Sequence, residues 1–399
     1  MPLTILALSS YYKGNRFLEA AKDAGHTVYL LTAEKLLGEG WPRHKLDDVF
    51  AVPDFADRRT LTSAVAYLMR SRRIDRIVAL DDFDIEVAAG LREHFRLTDT
   101  GHGESEARLF RDKLAMRTKA AVLGVRQPAF TGLIHSDAVR AFLARVPGPW
   151  LMKPRSEASA AGIHTCHTAD DVWRRLDHLG DDQTHHLLEQ MVPGDLYHVD
   201  SLVRQGQVIF AEVNAYWTPL LDVYQGGGVY ATRTLRRDRP EVAALREANR
   251  QVLDGFGLGQ GASHTEFMIA HADGRPYFIE TSARVGGAET ATMVEHATGV
   301  NPWAEWAKLE ADRTEGGYQL PPTKQRYAGV VMSLSRFERP DTSGFNDPEV
   351  VHRVDLASHI GLVVAADTAE RVEALLTDYT ARIARDFHAA LPAPENLRE

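Results

Sequence analysis

The sequence predicts a protein of mixed α/β and α+β class, with a parallel α/β domain at the N-terminal end and a later region rich in antiparallel strands. Two observations carry this. Residues 3 to 95 alternate short apolar runs with helical patterns: LTILAL, FLEAAKDAG, TVYLLT, LTSAVAYLMRS, RIVALDD and IEVAAGLREHF. After Gly194 the texture turns to β, with LYHVDSLV and QVIFAEV joined across Arg204-Gln205-Gly206 and a second pair of arms around Asp273-Gly274.

Composition bounds the rest. The 399 residues are 44% hydrophobic and 25% charged, enough for two or three domains with their own cores. The N-terminal run MPLTILALSSYYKG is too short for a membrane span and has no basic stretch before it, so it reads as a strand. One cysteine, Cys166, excludes an internal disulfide framework, and the default location is the cytoplasm. The formal charge of −9 argues against a general nucleic-acid binder, and no run approaches a transmembrane span, so neither nucleic acid nor membrane is expected as a partner.

Taken in order, the first strand is followed by SSYYKGNRF, which lacks G-x-G-x-x-G. No dinucleotide fingerprint stands where such a fold would carry it. From about residue 106 a helix runs through RDKLAMRTKAAVLG, then come the strand WLMKP, IHTCHT, the helix DVWRRLDHL and the strand LLEQMV. A helix from Pro240 to Phe256 places Val242, Leu245, Val252, Leu253 and Phe256 on one face, with Gly255 and Gly257 near its end. The tail holds the strand HIGLVVA and a helix whose Asp367 and Glu370 have capping-box spacing.

The hairpin TEFMIAHADGRPYFIETSARVGG raises a question of charge. Alternation suggests pairing 267 with 279 and 269 with 277, which puts Glu266 opposite Glu280 on the other face. Two carboxylates directly across a hairpin repel. Elsewhere, Lys153 ends a strand before PRSEASAAG, whose small residues let backbone N–H groups approach an anion, with the lysine as a point charge for phosphate. The edge of LLEQMV offers an adenine ring a carbonyl and an N–H, with the Glu189 carboxylate to accept from its amine. Asp195 stands near enough for ribose.

The order of Lys113, Lys153 with its small-residue loop, LLEQMVPGD, and HTEF with FIETSARVGG resembles the ATP-grasp superfamily, among its carboxylate–amine ligases related to D-alanine–D-alanine ligase, biotin carboxylase and L-amino acid ligases. The likeness covers roughly residues 106 to 310. It implies a fold of two subdomains clasping a nucleotide: an N-terminal domain over 1–105, a nucleotide lid over 106–192, a metal and substrate subdomain over 193–325, and a C-terminal α/β segment over 326–399. It implies ATP held by Lys113, Lys153, Ser159, Glu189, Gln190, Val192 and Asp195. Mg2+, two ions with Mn2+ as a substitute, falls to Glu266 and Glu280. Ser282 stands where many relatives carry a third ligand, Asn. Lys153 and Arg284 take the catalytic roles.

A metal between the acids would answer the charge question, since a hard cation takes carboxylate and phosphate oxygens together. The implied reaction makes an acyl-phosphate from a carboxylate and ATP, then an amide by attack of an amine, with ADP and phosphate released. Small-molecule acids and amines, amino acids among them, are the expected partners, and a homodimer is left open. The stretch 215–233, with Tyr216, Trp217, Tyr224, Tyr230 and Arg233, reads as a substrate-covering loop or as a self-packed surface excursion. Alternatives are a carboxylase or formyl-phosphate enzyme, although no biotinylation motif is present, and an ATP sensor without turnover.

Overall fold

The structure, a computed structural model, describes residues 2–97, 101–221, 223, 227–312 and 317–390. Near the N-terminus, β1 (Thr4–Ser9), β2 (Thr27–Ala33), β3 (Asp48–Val52) and β4 (Arg76–Ala79) form a parallel sheet in the order β3-β2-β1-β4. The helix α1 (Asn15–Asp23) connects β1 to β2, α2 (Arg58–Met69) connects β3 to β4, and α3 (Ile85–His94) follows β4. Continuous apolar runs suit this position because both faces are covered: Ile5 and Ala7 point into one cluster, Leu6 and Leu8 into another. β4 is followed by Leu80-Asp81-Asp82, at the C-terminal edge where α/β sheets present side chains to ligands.

The chain then runs through α4 (Glu104–Ala107) into α5 (Lys113–Val122). Asp112 caps α5 by accepting from Leu114 and Ala115 N–H groups, and Arg155 clamps that same carboxylate, which places Lys113 at the first helical turn. A small antiparallel sheet follows, β5 (Phe130–Gly132), β6 (Trp150–Pro154), β7 (His164–Cys166) and β8 (His186–Gln190), in the order β5-β8-β6-β7. α6 (Ser136–Arg145) and α7 (Ala169–Leu179) pack on it over Phe142, Trp150, Met152 and Leu188. Cys166 is a buried member of that core.

The largest sheet has eight strands in the order β13-β12-β9-β10-β11-β14-β16-β15. They are β9 (Gly194–Arg204), β10 (Gln207–Tyr216), β11 (Tyr230–Thr234), β12 (Gly261–Ala270), β13 (Pro276–Ser282), β14 (Tyr327–Leu334), β15 (Val350–Arg353) and β16 (His359–Ala366). α8 (Pro240–Phe256) covers one face through Val252, Leu253 and Phe256 against Phe267 and Phe278. α9 (Thr290–Thr298) and α10 (Pro302–Ala311) sit on the other face and meet the N-terminal domain through Trp306 and Phe17. The described part of the expected C-terminal segment is therefore an extension of the sheet that holds β12 and β13, because β14 pairs directly with β11. The closing helix α11 (Ala369–Asp386) is capped by Thr368, not Asp367: Thr368 accepts from the Arg371 N–H, while Asp367 pairs with Arg326.

The hairpin β12–β13 keeps Glu266 opposite Glu280 but departs from simple alternation. Next to that pair, Phe267 faces Phe278, Met268 faces Tyr277, and Ile269 faces Pro276. The expected pairings 267–279 and 269–277 are replaced because Ile279 is the extra residue of a β-bulge. Phe278, not Ile279, joins Phe267 in the core, and Ile279 turns toward a cavity beside Met268.

Candidate active site

A cavity of about 530 Å3 lies between the small sheet and the large one. Lys113, Lys153, Ser159 and Glu189 line one part of it, and Gln190 and Val192 continue the wall. Glu266, Glu280 and Arg284 stand at the other end. The sheets thus bring together residues that lie up to 171 positions apart in the chain, from 113 to 284.

At the Lys153 end of the cavity, Lys113 Nζ donates to the Glu157 carbonyl at 2.6 Å and pairs with Glu280 Oε2 at 2.9 Å. Arg111 donates to the neighbouring Ser156 carbonyl, so the small-residue loop is docked by two cations. Ser159 and Ala160 hold φ of 54° and 60°, left-handed values that cost non-glycine residues about 1 kcal/mol or more and aim backbone groups unusually. Lys153, 6% exposed, pairs with Glu189 Oε1, while Arg117 Nε and Nη2 donate to Glu189 Oε2 at 3.1 and 2.8 Å.

Two expectations for the nucleotide change here. The Glu189 carboxylate is 1% exposed and occupied by those two cations, so it anchors Lys153 and is not free to accept from an adenine amine. Burial pushes its carboxyl up, but Arg117 and Lys153 prevail and bring it down to about 2. Asp195 points outward, 3.4 Å from His271 Nε2, because strand alternation gives the cavity wall to Leu196. Gln190 and Val192 keep their places on the wall.

The acids belong to a polar band across four strands. Asn214 faces His198, which faces Glu266, which faces Glu280; one step along, Glu212 faces Asp200, which faces His264, which faces Ser282. Glu266 accepts from Tyr216 Oη at 2.6 Å and lies 3.8 Å from His264 Nε2. Burial opposes its ionisation, yet His264 and Tyr216 hold its carboxyl below the ordinary range. Asp200 bridges the two histidines, 2.7 Å from His198 Nδ1 and 2.8 Å from His264 Nδ1. Burial lowers His264, but Asp200 outweighs it and raises the imidazole to about 9. Each acid therefore has its own partner, Lys113 for Glu280 and the His264–Tyr216 pair for Glu266, which answers the charge question without a metal. Two carboxylates on one face remain a donor set suited to a hard divalent cation. The ligand atoms of His198, Asp200 and His264 also lie within 4.8 Å of one another, close enough to share an ion.

Arg284 reaches back to the N-terminal domain. Its Nε donates to Asp82 Oδ2 at 2.8 Å, its Nη2 pairs with the same oxygen, and Nη1 donates to the Val285 carbonyl at 3.0 Å. Burial pushes the Asp82 carboxyl up, and Arg284 and Arg111 more than reverse it. Ser282 donates its hydroxyl to Asp82 as well. The expected metal-ligand role of Ser282 is thereby corrected: its oxygen is turned to the N-terminal domain and lies off the wall of the main cavity. Tyr216, Tyr230, Pro219, Leu220 and Leu221 form an apolar wall near Arg284. Arg233, in the stretch read as a substrate-covering loop or a self-packed excursion, pairs with Glu373 at 3.0 Å and stacks on Trp217; Tyr224 lies outside the described residues.

No protein-family model matches the chain. It is 24% identical over 294 residues to an L-arginine-specific L-amino acid ligase of Bacillus subtilis, covering 72% of this chain and 70% of that protein. Its fold matches the crystal structure of an L-amino acid ligase from Bacillus licheniformis with a TM-score of 0.77 at 18% identity, over 97% of this chain and 98% of the other. These likenesses support an ATP-grasp carboxylate–amine ligase. The same fold extends to the biotin carboxylase domain of a Hydrogenobacter thermophilus 2-oxoglutarate carboxylase, in complex with MgADP, ADP and bicarbonate, with a TM-score of 0.71 at 16% identity over 97% and 90% of the two chains.

Several residues of the site escaped sequence reasoning. Asp82 sits in LDDFD at the end of β4, where the acidic cluster at a parallel strand's C-terminal end was an available signal. Arg117 lies four residues after Lys113 on the same helical face. His264 and Tyr216 follow from strand alternation around Glu266. Gly286 is required by the polar band: a Cβ there would stand 2.8 Å from Asp200 Oδ1 and 2.9 Å from His264 Nδ1. Gly286→Ala is expected to push those two apart, lowering stability by about 1–3 kcal/mol and turnover at least tenfold. A thermal melt beside an ADP-release assay checks both.

Proposed function

We propose that this ATP-dependent ligase joins an amino acid carboxylate to an amino acid amine, making a dipeptide-like amide and releasing ADP and phosphate. The observation that carries the reading is the convergence of Lys113, Lys153, Glu266, Glu280 and Arg284 on one cavity, together with sequence similarity to an amino acid ligase. Glu266 and Glu280 would hold two Mg2+ ions, with Mn2+ able to stand in. Bound there, the metal would neutralise phosphate charge and orient the γ-phosphate for in-line attack.

The residues divide the chemistry. Lys153, fixed by Glu189, and Lys113, fixed by Asp112 capping, would present ammonium groups to the phosphates beneath the 155–163 loop. A substrate carboxylate oxygen attacks the γ-phosphorus, the bond to the β-phosphate oxygen breaks, and ADP leaves. The amine then attacks the acyl carbon, the carbon–oxygen bond to phosphate breaks, and the amine loses a proton. Arg284, held rigid by Asp82, would face the acyl-phosphate and the charge that develops on its oxygen, where a preorganised donor contributes about 3–4 kcal/mol. A homodimer in the cytoplasm completes the proposal; lone buried Cys166 suits a reducing compartment. Among the described residues, no helix is long and apolar enough to cross a membrane.

The test is a phosphate-release screen over all pairs of common amino acids, with mass spectrometry of the product. The expected result is amino-acid-dependent ADP formation with a matching dipeptide mass. Nucleotide binding without turnover for every pair would favour a sensor, and bicarbonate-dependent turnover alone would favour a carboxylase.

A further inference from the structure

The facing of Glu266 and Glu280 does not follow from the hairpin turn. Near the turn, each pair of opposed residues sums to the same register: Phe267 with Phe278, Met268 with Tyr277, Ile269 with Pro276. Continued unchanged, that register would set Ile279 against Glu266 and send Glu280 to the core face, since successive side chains alternate. The extra residue at Ile279 shifts the register by one and returns Glu280 to the face of Glu266. The metal-facing geometry of both carboxylates thus depends on a bulge.

A bulge leaves a backbone group without its ladder partner. Here Arg117 takes it: Nη1 donates to the Ile279 carbonyl at 2.6 Å, and the guanidinium stands over the Phe278 ring at 5.7 Å. Arg117 is wholly buried, and its remaining donors go to Glu189, the residue that holds Lys153. One turn earlier on the same helix, Lys113 reaches Glu280 itself. Helix α5 therefore grips the two consecutive residues of β13 on which the acid pair depends, and through Arg117 joins them to the phosphate lysine.

We infer that Arg117 is a positioning residue that holds the bulge at Ile279 and thereby fixes the placement of the Glu280 carboxylate opposite Glu266. The inference rests on the proposed ligase reading, in which those two acids take the metal. A purely structural ion pair with Glu189 would move stability and ATP affinity and leave metal affinity alone. A bulge holder moves metal affinity even when nucleotide is saturating.

The experiment titrates Mn2+ by electron paramagnetic resonance on the full chain at saturating ADP, beside thermal melts and the KM for ATP. Arg117→Lys retains a charge for Glu189 and loses the second arm to Ile279. Its Mn2+ dissociation constant is expected to rise about 10- to 100-fold, the range for residues that orient metal ligands. Glu189→Gln, which leaves the Arg117–Ile279 bond, should raise the KM for ATP and keep Mn2+ affinity within about twofold. If Arg117→Lys does not fold, the double variant Arg117→Met/Glu189→Gln removes the guanidinium while an amide oxygen still accepts from Lys153, and it too should weaken Mn2+. Wild-type Mn2+ affinity in the folded Arg117 variants would overturn the inference alone. A wild-type protein that binds no Mn2+ in the presence of ADP would overturn the proposed site as well.

Discussion

Replacing Glu189 with alanine is expected to destabilise the small sheet β5–β8 by about 3–5 kcal/mol, because it leaves Arg117, wholly buried, and Lys153, 6% exposed, without their shared carboxylate. The effect should be local before it is global. Amide hydrogen exchange should show β6 and β8 opening first, since Glu189 ties both strands to α5 and, through Arg117, to β13. The same group predicts a pH dependence. Its carboxyl stands near 2 in the folded chain and at 4.5 otherwise, so the folded state binds fewer protons and gains stability as pH rises. That contribution is complete above about pH 4.5 and disappears as pH falls toward 2, a difference on the order of 3 kcal/mol. A Glu189→Ala protein that melts with the wild type, or a wild-type small sheet indifferent to pH between 5 and 3, would show that the buried triad does not hold that sheet.

The second large effect is on turnover. Glu280→Gln should reduce ADP release by about 10^2- to 10^3-fold, the scale for losing a group that stabilises transition-state charge. The metal-free protein should change by less than about 1 kcal/mol, because Glu280 is already relieved by Lys113 at 2.9 Å and a glutamine oxygen can still accept from it. In the wild type, MgATP at a hundred times its dissociation constant adds about 2.7 kcal/mol by mass action. The variant should show little of that gain. Thermal melts with and without MgATP separate the outcomes: an active Glu280→Gln protein with a full ligand shift would place the metal elsewhere, and the His198, Asp200 and His264 cluster is where to look next.

These residues also show what a linear reading reaches. The alternation of β1 to β4, the paired arms around Asp273-Gly274 and the facing of Glu266 and Glu280 were legible, since each depends on local periodicity and one turn. The bulge was not: hydrophobic alternation fits Ile279 or Phe278 as the partner of Phe267, and the carbonyl that decides between them is held by an arginine 162 positions away. Ser282 is turned by Asp82 across 200 positions, and no local pattern announces that bond. Asp195 and Glu189 were read from the spacing of LLEQMVPGD alone. Strand alternation then puts Leu196 on the wall, and the burial of Glu189 makes it a counter-ion.

The placement of β14 beside β11 bears on how the chain is made. Until residues 327–334 emerge from the ribosome, β11 has one bare edge, and β10, β9 and the hairpin behind it form a sheet that ends in unpaired amides. Such an edge is a template for pairing with another nascent chain. Synthesis halted before β14 should therefore yield material that self-associates, whereas chains extended through β16 close the sheet from the far side and stay apart.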